Sequence, residues 1–564
     1  MPTPEIIRAL RDLRLTFGRR PRTAKRRWLK QAVREPLNDA RILRDYHDTL
    51  LFMAAYPDNP ELLRMVTAEL KRVGRAARQF SRTAKPRTVA CLRDTGMAGT
   101  EMTCAFSLDM ATWLAKAFPG QVELDWDDDS AGSELDEFLS FLTCSVERDG
   151  LLSDRLTTRE WVRSARGDGS QSDLAWLAEQ FHHLDALPAL REQAYETLDL
   201  KVRWRLGLGA ASRTLVRFPP RRTFFQEAAL NRAVDLREWM ARPLPGPHQV
   251  SVAEARPLLD ACRVTLCARH REIDTLSYVN EREVSHFQLE RGIDVTVFGM
   301  RPDRRLPIES YFGFVVARNR VPVGYGGGWV FLDRSEIGVN VFDEFRGGES
   351  AFLFAQVMRV YHQCFSARRF FVDPYQFGAD NAEAIQSGAY WFYDRLGFRP
   401  VDRKTRSLAD LEREKRSRLQ SYRCPTRVLR RLARSKLVFD LDAAAPEHLE
   451  DVKLSDIGLA VTRWIGSRFN GDRRAAQRWS CRRAIRALGV RDMACWPGEQ
   501  QESFCRMSVL LGPMAGLSTW PAADKAALVQ VMRAKGGVSE RNYVRKLRSH
   551  ARLRAGLADL AQGR

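Results

Sequence analysis

The stretch "VFDEFRGGESAFLFAQVMRVYHQCF", residues 341–365, carries the strongest fold signal in the chain. It begins at the end of a run rich in Val and Ile, residues 337–342, which predicts a strand. Its second half repeats apolar residues every three or four positions, which predicts a helix from about Glu349 to Phe365. The turn Arg346-Gly347-Gly348 joins the two. A helix N-terminus offers free N–H groups and a positive dipole end, so this turn is a candidate site for a pyrophosphate.

Similar strand signals surround this stretch on both sides. The runs "IDVTVFGM", "SYFGFVVARN" and "VPVGYGGGWVFLD" precede it, and "RFFVDPY" follows it. A helical pattern, "ARPLLDACRVTLCARH", comes before the first strand. Residues 246–402 are therefore predicted to form one α/β (α+β) domain with a sheet that begins antiparallel and ends parallel.

A second motif, "DNAEAIQSGAYWFYDRLGFRPV", occupies residues 380–401. Its apolar stripe predicts a single amphipathic helix over 381–396. Asp380 and Glu383 have capping-box spacing, and Gly397 is placed to end the helix. Tyr393 lies at the border of the stripe. Its phenol is neutral at pH 7 and can donate a proton.

Together these motifs resemble the GNAT N-acetyltransferase superfamily over about 246–402, less than a third of the chain. In that family, a Q/R-x-x-G-x-G/A turn binds the pyrophosphate of acetyl-CoA through main-chain N–H groups. Arg346 and Ala351 match this turn, whereas Glu349 replaces its first glycine. The Tyr-x-x-Leu-Gly-Phe sequence is intact. "SGAYW" lengthens the distance from Asn381 to Tyr393 by about one helical turn.

The resemblance implies an acyl-CoA-dependent N-acyltransferase with acetyl-CoA as co-substrate, an unidentified amine acceptor and no metal. Tyr393 would protonate the departing thiolate, and an acidic residue on or near the central strand would serve as base. Glu336 is the candidate base, with Asp343 and Glu344 following it. Tyr311, Tyr325 and Trp329 are candidates for an acceptor pocket. The cofactor-binding residues implied are Val339, Val341, Arg346, Gly347, Gly348, Ser350, Ala351 and Asn381.

Several of these assignments have a simpler structural alternative. Aromatic residues at helical spacing are usually core, so Tyr393 is equally well explained by packing under the last strand. Glu336 is also explained as a solvated charge. The sequence "GLGAAS" at Gly207 nearly matches a dinucleotide-binding fingerprint but lacks its third glycine.

The remaining sequence predicts large, mostly helical extensions. We expect a basic helical region at 1–85, a mostly helical domain at 86–245 and a second basic helical region at 403–564. Residues 403–436 hold 13 Lys and Arg against three Asp and Glu. With a net charge of +21, the chain attracts polyanions. The alternative function is therefore a non-catalytic GNAT-like scaffold that binds nucleic acid or another acidic partner through these flanks.

The ten cysteines include no CxxC pair. Their scatter predicts reduced thiols in a cytoplasmic protein rather than a zinc site. The sequence also lacks an N-terminal apolar segment of the kind that directs export, and it contains no apolar stretch long enough to span a bilayer.

Overall fold

The structure, a computed structural model, describes residues 3–127, 132–153, 155–246, 249–419, 421–442 and 452–563. The chain divides into two compact units. Unit 1 comprises residues 1–229, 257–278 and 318–322, and unit 2 comprises 230–256, 279–317 and 323–564. The C-terminal helices after residue 402 therefore belong to the same compact unit as the predicted acyltransferase domain.

Two sheets carry the described strands. Unit 1 has an antiparallel sheet of order β1-β3-β2, made of β1 Glu101–Ala105, β2 Val122–Leu124 and β3 Lys201–Arg205. Unit 2 has an eight-stranded sheet of order β10-β11-β9-β8-β7-β6-β5-β4. Its strands are β4 Val279–Gln288, β5 Ile293–Met300, β6 Ser310–Arg318, β7 Val321–Phe331, β8 Arg334–Val341, β9 Arg369–Val372, β10 Arg399–Pro400 and β11 Leu437–Asp440.

Helices make up most of the remaining described chain. Before the large sheet they are α1 Thr3–Leu13, α2 Arg19–Ala32, α3 Ala40–Ala55, α4 Pro60–Thr83, α5 Pro86–Val89, α6 Leu108–Ala117, α7 Gly132–Leu142, α8 Arg148–Leu151, α9 Thr158–Arg166, α10 Asp173–His183, α11 Pro188–Thr197, α12 Leu236–Ala241, α13 Val252–Cys267 and α14 Asp274–Ser277. From the sheet onward they are α15 Ser350–Phe365, α16 Ala382–Ser387, α17 Ala389–Arg395, α18 Arg403–Arg418, α19 Thr426–Leu432, α20 Leu454–Phe469, α21 Arg473–Leu488, α22 Gly498–Ser508, α23 Ala522–Lys535, α24 Glu540–Ser549 and α25 Ala551–Ala561. Within the described ranges, no helix is long and apolar enough to cross a membrane.

The large sheet is mixed, as the sequence predicted, but it ends in antiparallel pairs where the prediction was parallel. β7 and β8 pair antiparallel, with Trp329 opposite Glu336, and β8 pairs with β9 in parallel. The sequence did not predict β11, which inserts between β9 and β10 and pairs antiparallel with both. The sheet thus takes a strand from beyond residue 402, where we placed the domain boundary. The four residues of β11 follow a strongly basic segment and are too short to show a period.

Helix α15 covers one face of this sheet. The Tyr361 hydroxyl donates a hydrogen bond to the carbonyl of Phe312, 2.6 Å away. The rings of Phe312 and Phe365 stack with centroids 4.2 Å apart. A Cβ atom on Gly328 would lie 2.3 Å from the Tyr361 ring, so a glycine is required where the helix presses on the strand. This packing fixes the C-terminal half of α15 against the sheet.

Gly326 gives a test of how closely β7 and β8 approach. A Cβ atom there would lie 2.0 Å from the carbonyl oxygen of Gly338 and 2.6 Å from the Phe314 ring. We expect Gly326→Ala to lower the free energy of unfolding of unit 2 by about 1–3 kcal/mol, the usual cost of overpacking. Urea titration followed by fluorescence measures the change.

Gly458→Ala is the matched control. Gly458 lies inside α20, and nothing is within 4 Å of its added Cβ atom. In a helix interior, alanine is favoured over glycine by roughly 0.5–1 kcal/mol. The two alanines should therefore shift stability in opposite directions. Equal shifts would contradict the close pairing of the two strands.

The cysteine prediction was wrong for one pair. Cys481 on α21 and Cys505 on α22 form a disulfide, with Cα atoms 4.9 Å apart. The prediction failed because residues 24 apart in sequence become neighbours only when the two helices pack together. The other eight cysteines are free thiols.

Candidate functional site

The central feature of the candidate site is the separation of β8 from β9. Their parallel pairing covers Arg334, Ser335 and Glu336 of β8 and ends there. The rest of β8, from Ile337 to Val341, remains paired with β7 on its other edge. A strand edge that loses its partner exposes backbone N–H and C=O groups that can bond an extended polar chain. Val339 and Val341, both predicted to bind cofactor, lie half-buried in this part of β8.

The predicted turn follows β8 directly. Gly347 has φ of 81°, a conformation that favours glycine, and the N–H of Gly348 donates to the carbonyl of Phe345. Glu349 is the N-cap residue of α15, and its side chain makes no capping hydrogen bond to the first turn. Ser350 and Ala351 open the helix and are half-buried. The first turn of α15 thus receives no hydrogen bond from the side chain of its N-cap residue.

The Glu349 side chain points away from this N-terminus. It is fully buried, and Oε1 accepts a hydrogen bond from the N–H of Asn231 at 2.7 Å. Arg291 pairs with the same oxygen at 2.6 Å. In the family that the turn resembles, this position is a glycine, and a carboxylate directed into the site would repel a pyrophosphate. The charge of Glu349 is instead compensated inside the fold by Arg291, a residue on the loop between β4 and β5.

This pair gives a stability prediction. Arg291→Met leaves the Glu349 carboxylate buried without its cation, and breaking a buried pair in this way typically costs about 3–5 kcal/mol. We expect a loss of that size in the urea unfolding of unit 2. The double variant Arg291→Met/Glu349→Met removes both charges and should recover most of the loss. If the double variant is no more stable than the single one, the charge pairing is not the cause.

Two arginines lie at the outer side of the turn. Arg346 is half-exposed and pairs with Glu383 at 2.5 Å and with Asp343 at 2.9 Å. Arg232 donates to the carbonyl of Gly347 at 2.8 Å. The Arg346–Glu383 pair also brings the turn next to the start of α16. Both segments contain residues that the resemblance assigns to cofactor binding, and this ion pair joins them.

The helix predicted over 381–396 is two helices. Gly388 has φ of 66° and separates α16 from α17, so the prediction of one continuous helix was wrong. The break lies within the "SGAYW" insertion. Gly397, with φ of 93°, ends α17 as predicted.

The capping assignment also moves by one residue. Asn381, not Asp380, is the N-cap of α16. Its side chain accepts from the N–H of Ala384 and donates to the carbonyl of Tyr375, both at 3.0 Å. Asp380 has φ of 52°, which is not an N-cap conformation. Asn381 therefore has a structural role at the helix start, and its predicted contact with cofactor stays a prediction.

Tyr393 lies on α17 and is 3% exposed. Its ring packs against those of Phe354, Phe377, Phe392 and Phe398, with centroid distances from 5.1 to 6.2 Å. Burial raises the pKa of Tyr393, so the phenol stays protonated throughout the physiological range. This environment is what the packing interpretation expects. The general-acid role stays a prediction that a Tyr393→Phe variant decides.

Glu336 lies where β8 and β9 part. Its carboxylate pairs with Lys436, the residue before β11. Burial raises the pKa of the nearby Glu309, and the negative charge of Glu336 adds to that shift. Two carboxylates and a lysine thus meet at this end of the sheet. To act as a base, Glu336 would have to break its ion pair with Lys436 and pair with the ammonium group of the acceptor instead.

An aromatic surface adjoins Glu336. The Tyr311 and Trp329 rings stack in parallel 4.3 Å apart, and Trp329 is 36% exposed. A Cβ atom on Gly327 would lie 2.5 Å from the Tyr311 ring, so this glycine makes room for the stack. Trp329 is the direct strand partner of Glu336. Tyr325 packs instead on Phe342, with centroids 5.7 Å apart.

Sequence reasoning missed three side chains at this site. Arg232 and Arg291 contact the turn from segments more than 50 residues away. A Cβ atom on Gly338 would lie 3.2 Å from Nε2 of Gln376, so this amide lies beside the unpaired part of β8. No local pattern marks any of the three, because each reaches the site only through the tertiary fold.

Comparison of the chain with protein-family models, with curated proteins and with solved structures gives no match.

Proposed function

We propose that unit 2 is an acyl-CoA-dependent N-acyltransferase, acting on an amine acceptor. The observation that carries the proposal is the separation of β8 from β9 directly before the N-terminus of α15. An extended chain with amide groups, such as the pantetheine arm of CoA, fits an exposed strand edge. A pyrophosphate fits the N-terminus of a helix whose N-cap side chain makes no hydrogen bond to the first turn.

The proposed binding mode uses backbone more than side chains. The pantetheine amides would pair with the free edge of β8 at Val339 and Val341. The pyrophosphate would accept hydrogen bonds from the N–H groups at Ser350 and Ala351. Arg346 and Arg232 would add positive charge, and Gly347 and Gly348 let the phosphates approach the main chain.

The reaction is direct transfer. A neutral amine nitrogen attacks the thioester carbonyl, forming a C–N bond while the C–S bond breaks. The ammonium proton passes to a base, for which Glu336 is the candidate, and the thiolate takes up a proton on leaving. The chain contributes chiefly by holding amine and thioester together, an effect that lowers the barrier without covalent catalysis.

A thiol-release assay tests the proposal. The full-length protein is mixed with acetyl-CoA and a panel of primary amines, and free CoA thiol is measured with a thiol reagent. We expect thiol release that depends on both protein and amine and saturates with acetyl-CoA. Acetyl-CoA that neither binds nor reacts would overturn the proposal.

The second candidate function is a non-catalytic scaffold that binds an acidic partner. The burial of Tyr393 favours this second function, because the side chain that was predicted to act as the acid packs among aromatic rings. The exposed arginines of α19, Arg430 and Arg431, offer a basic surface. Reversal of both to glutamate should weaken binding of an oligonucleotide and flatten its salt dependence. Unchanged binding would leave α19 as an ordinary solvated helix.

A further inference from the structure

Unit 1 contains an open cavity at its surface, of about 770 Å³, that the acyltransferase proposal does not use. Its walls come from the end of α4, from residues 89–101 and from the segment after β3. Four arginines line it, namely Arg78, Arg82, Arg93 and Arg205, together with Gly207 and Gly209. Both the size and the lining suit a small ligand, since ligand sites typically measure about 300–1,000 Å³.

The charge around this cavity is not balanced. Arg205 pairs with Glu123 and lies 3.9 Å from Glu101, the acidic residue of the lining. Arg78, Arg82 and Arg93 are exposed at the mouth of the cavity, and they make no ion pair with the acidic residues that the structure describes. Arg78 and Arg82 are four residues apart on α4 and so share one helix face. Three guanidinium groups thus leave a net positive field in one cavity.

The glycine-containing loop adds backbone donors to this field. β3 ends at Arg205, and Gly207-Leu208-Gly209 follow at once. A Cβ atom on Gly209 would meet nothing within 4 Å, and one on Gly207 would meet only Gln121 Oε1, at 3.5 Å, and the Gly209 N–H, at 3.9 Å. The loop backbone is therefore accessible. The next helix in the chain is α12, at Leu236, so the dipole of a following helix plays no part here.

We propose that this cavity binds a small phosphorylated molecule, with its phosphates against Arg78, Arg82 and Arg93 and the loop at 207–209. Guanidinium groups recognise phosphate oxygens in pairs of hydrogen bonds, and backbone N–H groups of glycine loops do the same. Three uncompensated cations match one pyrophosphate group. The volume leaves room for a nucleoside-sized remainder.

Calorimetric titration of the full chain with inorganic pyrophosphate tests the proposal, at about 0.15 M salt so that weak surface attraction is screened. We expect saturable binding. Arg78→Gln, Arg82→Gln and Arg93→Gln should each weaken it about tenfold, because a hydrogen bond to a charged group contributes on that order. ATP should compete with pyrophosphate. The melting temperature of each variant establishes that it is folded.

Two controls make the test specific. Arg75→Gln removes an exposed arginine of the same helix that does not line the cavity, and it should leave the affinity unchanged. Arg554→Gln, an exposed arginine on α25 of unit 2, should also leave it unchanged. Pyrophosphate binding that is weakened by Arg346→Gln and not by the three cavity variants would place it at the proposed acyl-CoA site and overturn this inference. Equal weakening by Arg75→Gln, or no saturable binding, would overturn the proposal. An oligonucleotide that binds and is not displaced by pyrophosphate or ATP would assign these arginines to nucleic acid instead.

Discussion

Ser350→Glu is expected to weaken acetyl-CoA binding by about 100-fold without destabilising the protein. Ser350 is the first residue of α15, where the pyrophosphate is proposed to bind. A carboxylate near two phosphates repels them by on the order of 3 kcal/mol at distances of about 5 Å near a protein surface. Calorimetric titration with acetyl-CoA measures the loss.

The same substitution should keep or raise the stability of unit 2. Negative charge in the first turn interacts favourably with the helix dipole, typically by about 0.3–1 kcal/mol. Ser350→Gln has the same shape without the charge and should retain most of the affinity. If the glutamine and glutamate variants lose affinity equally, the effect is steric. If neither loses affinity, acetyl-CoA does not bind at this helix start.

Tyr393→Phe gives the largest expected effect on rate. If Tyr393 protonates the departing thiolate, removal of its hydroxyl should slow turnover by about 10²–10⁴-fold, the usual contribution of general-acid catalysis. The affinity for acetyl-CoA should change little, since the phosphates are proposed to bind elsewhere, at the start of α15. The ring itself remains and continues to pack against its four aromatic neighbours.

Turnover of Tyr393→Phe within about twofold of the wild type would remove the catalytic assignment and leave this side chain as core. Phe392→Leu is a matched control, because it perturbs the same aromatic cluster without touching a hydroxyl. A rate loss shared by both variants would indicate disturbed packing. A loss confined to Tyr393→Phe, at unchanged melting temperature, would indicate proton transfer.

The periodic spacing of apolar residues predicted several elements of unit 2 correctly. The strands β7 and β8 and the helix α15 agree with their predicted spans to within two residues at most bounds, because their burial is regular along the chain. The end of α17 at Gly397 was also predicted correctly, because glycine readily takes the positive φ that ends a helix.

The errors lie where distant residues decide the outcome. The break at Gly388 could not be separated from a tolerated helical glycine without knowing its φ. Glu349 was treated as facing the phosphate site because its partner, Arg291, is 58 residues away. The Cys481–Cys505 bond and the insertion of β11 depend on which elements pack together. In each case tertiary contact, not local preference, determined the structure.

The central claim is that unit 2 binds acyl-CoA at the gap between β8 and β9. Its most direct measurement is calorimetric titration of the full-length protein with acetyl-CoA, repeated on Ser350→Glu. The account predicts a saturable acetyl-CoA site that Ser350→Glu loses and that Arg78→Gln retains. Absence of saturable binding to the wild type, or equal binding by Ser350→Glu, would contradict it.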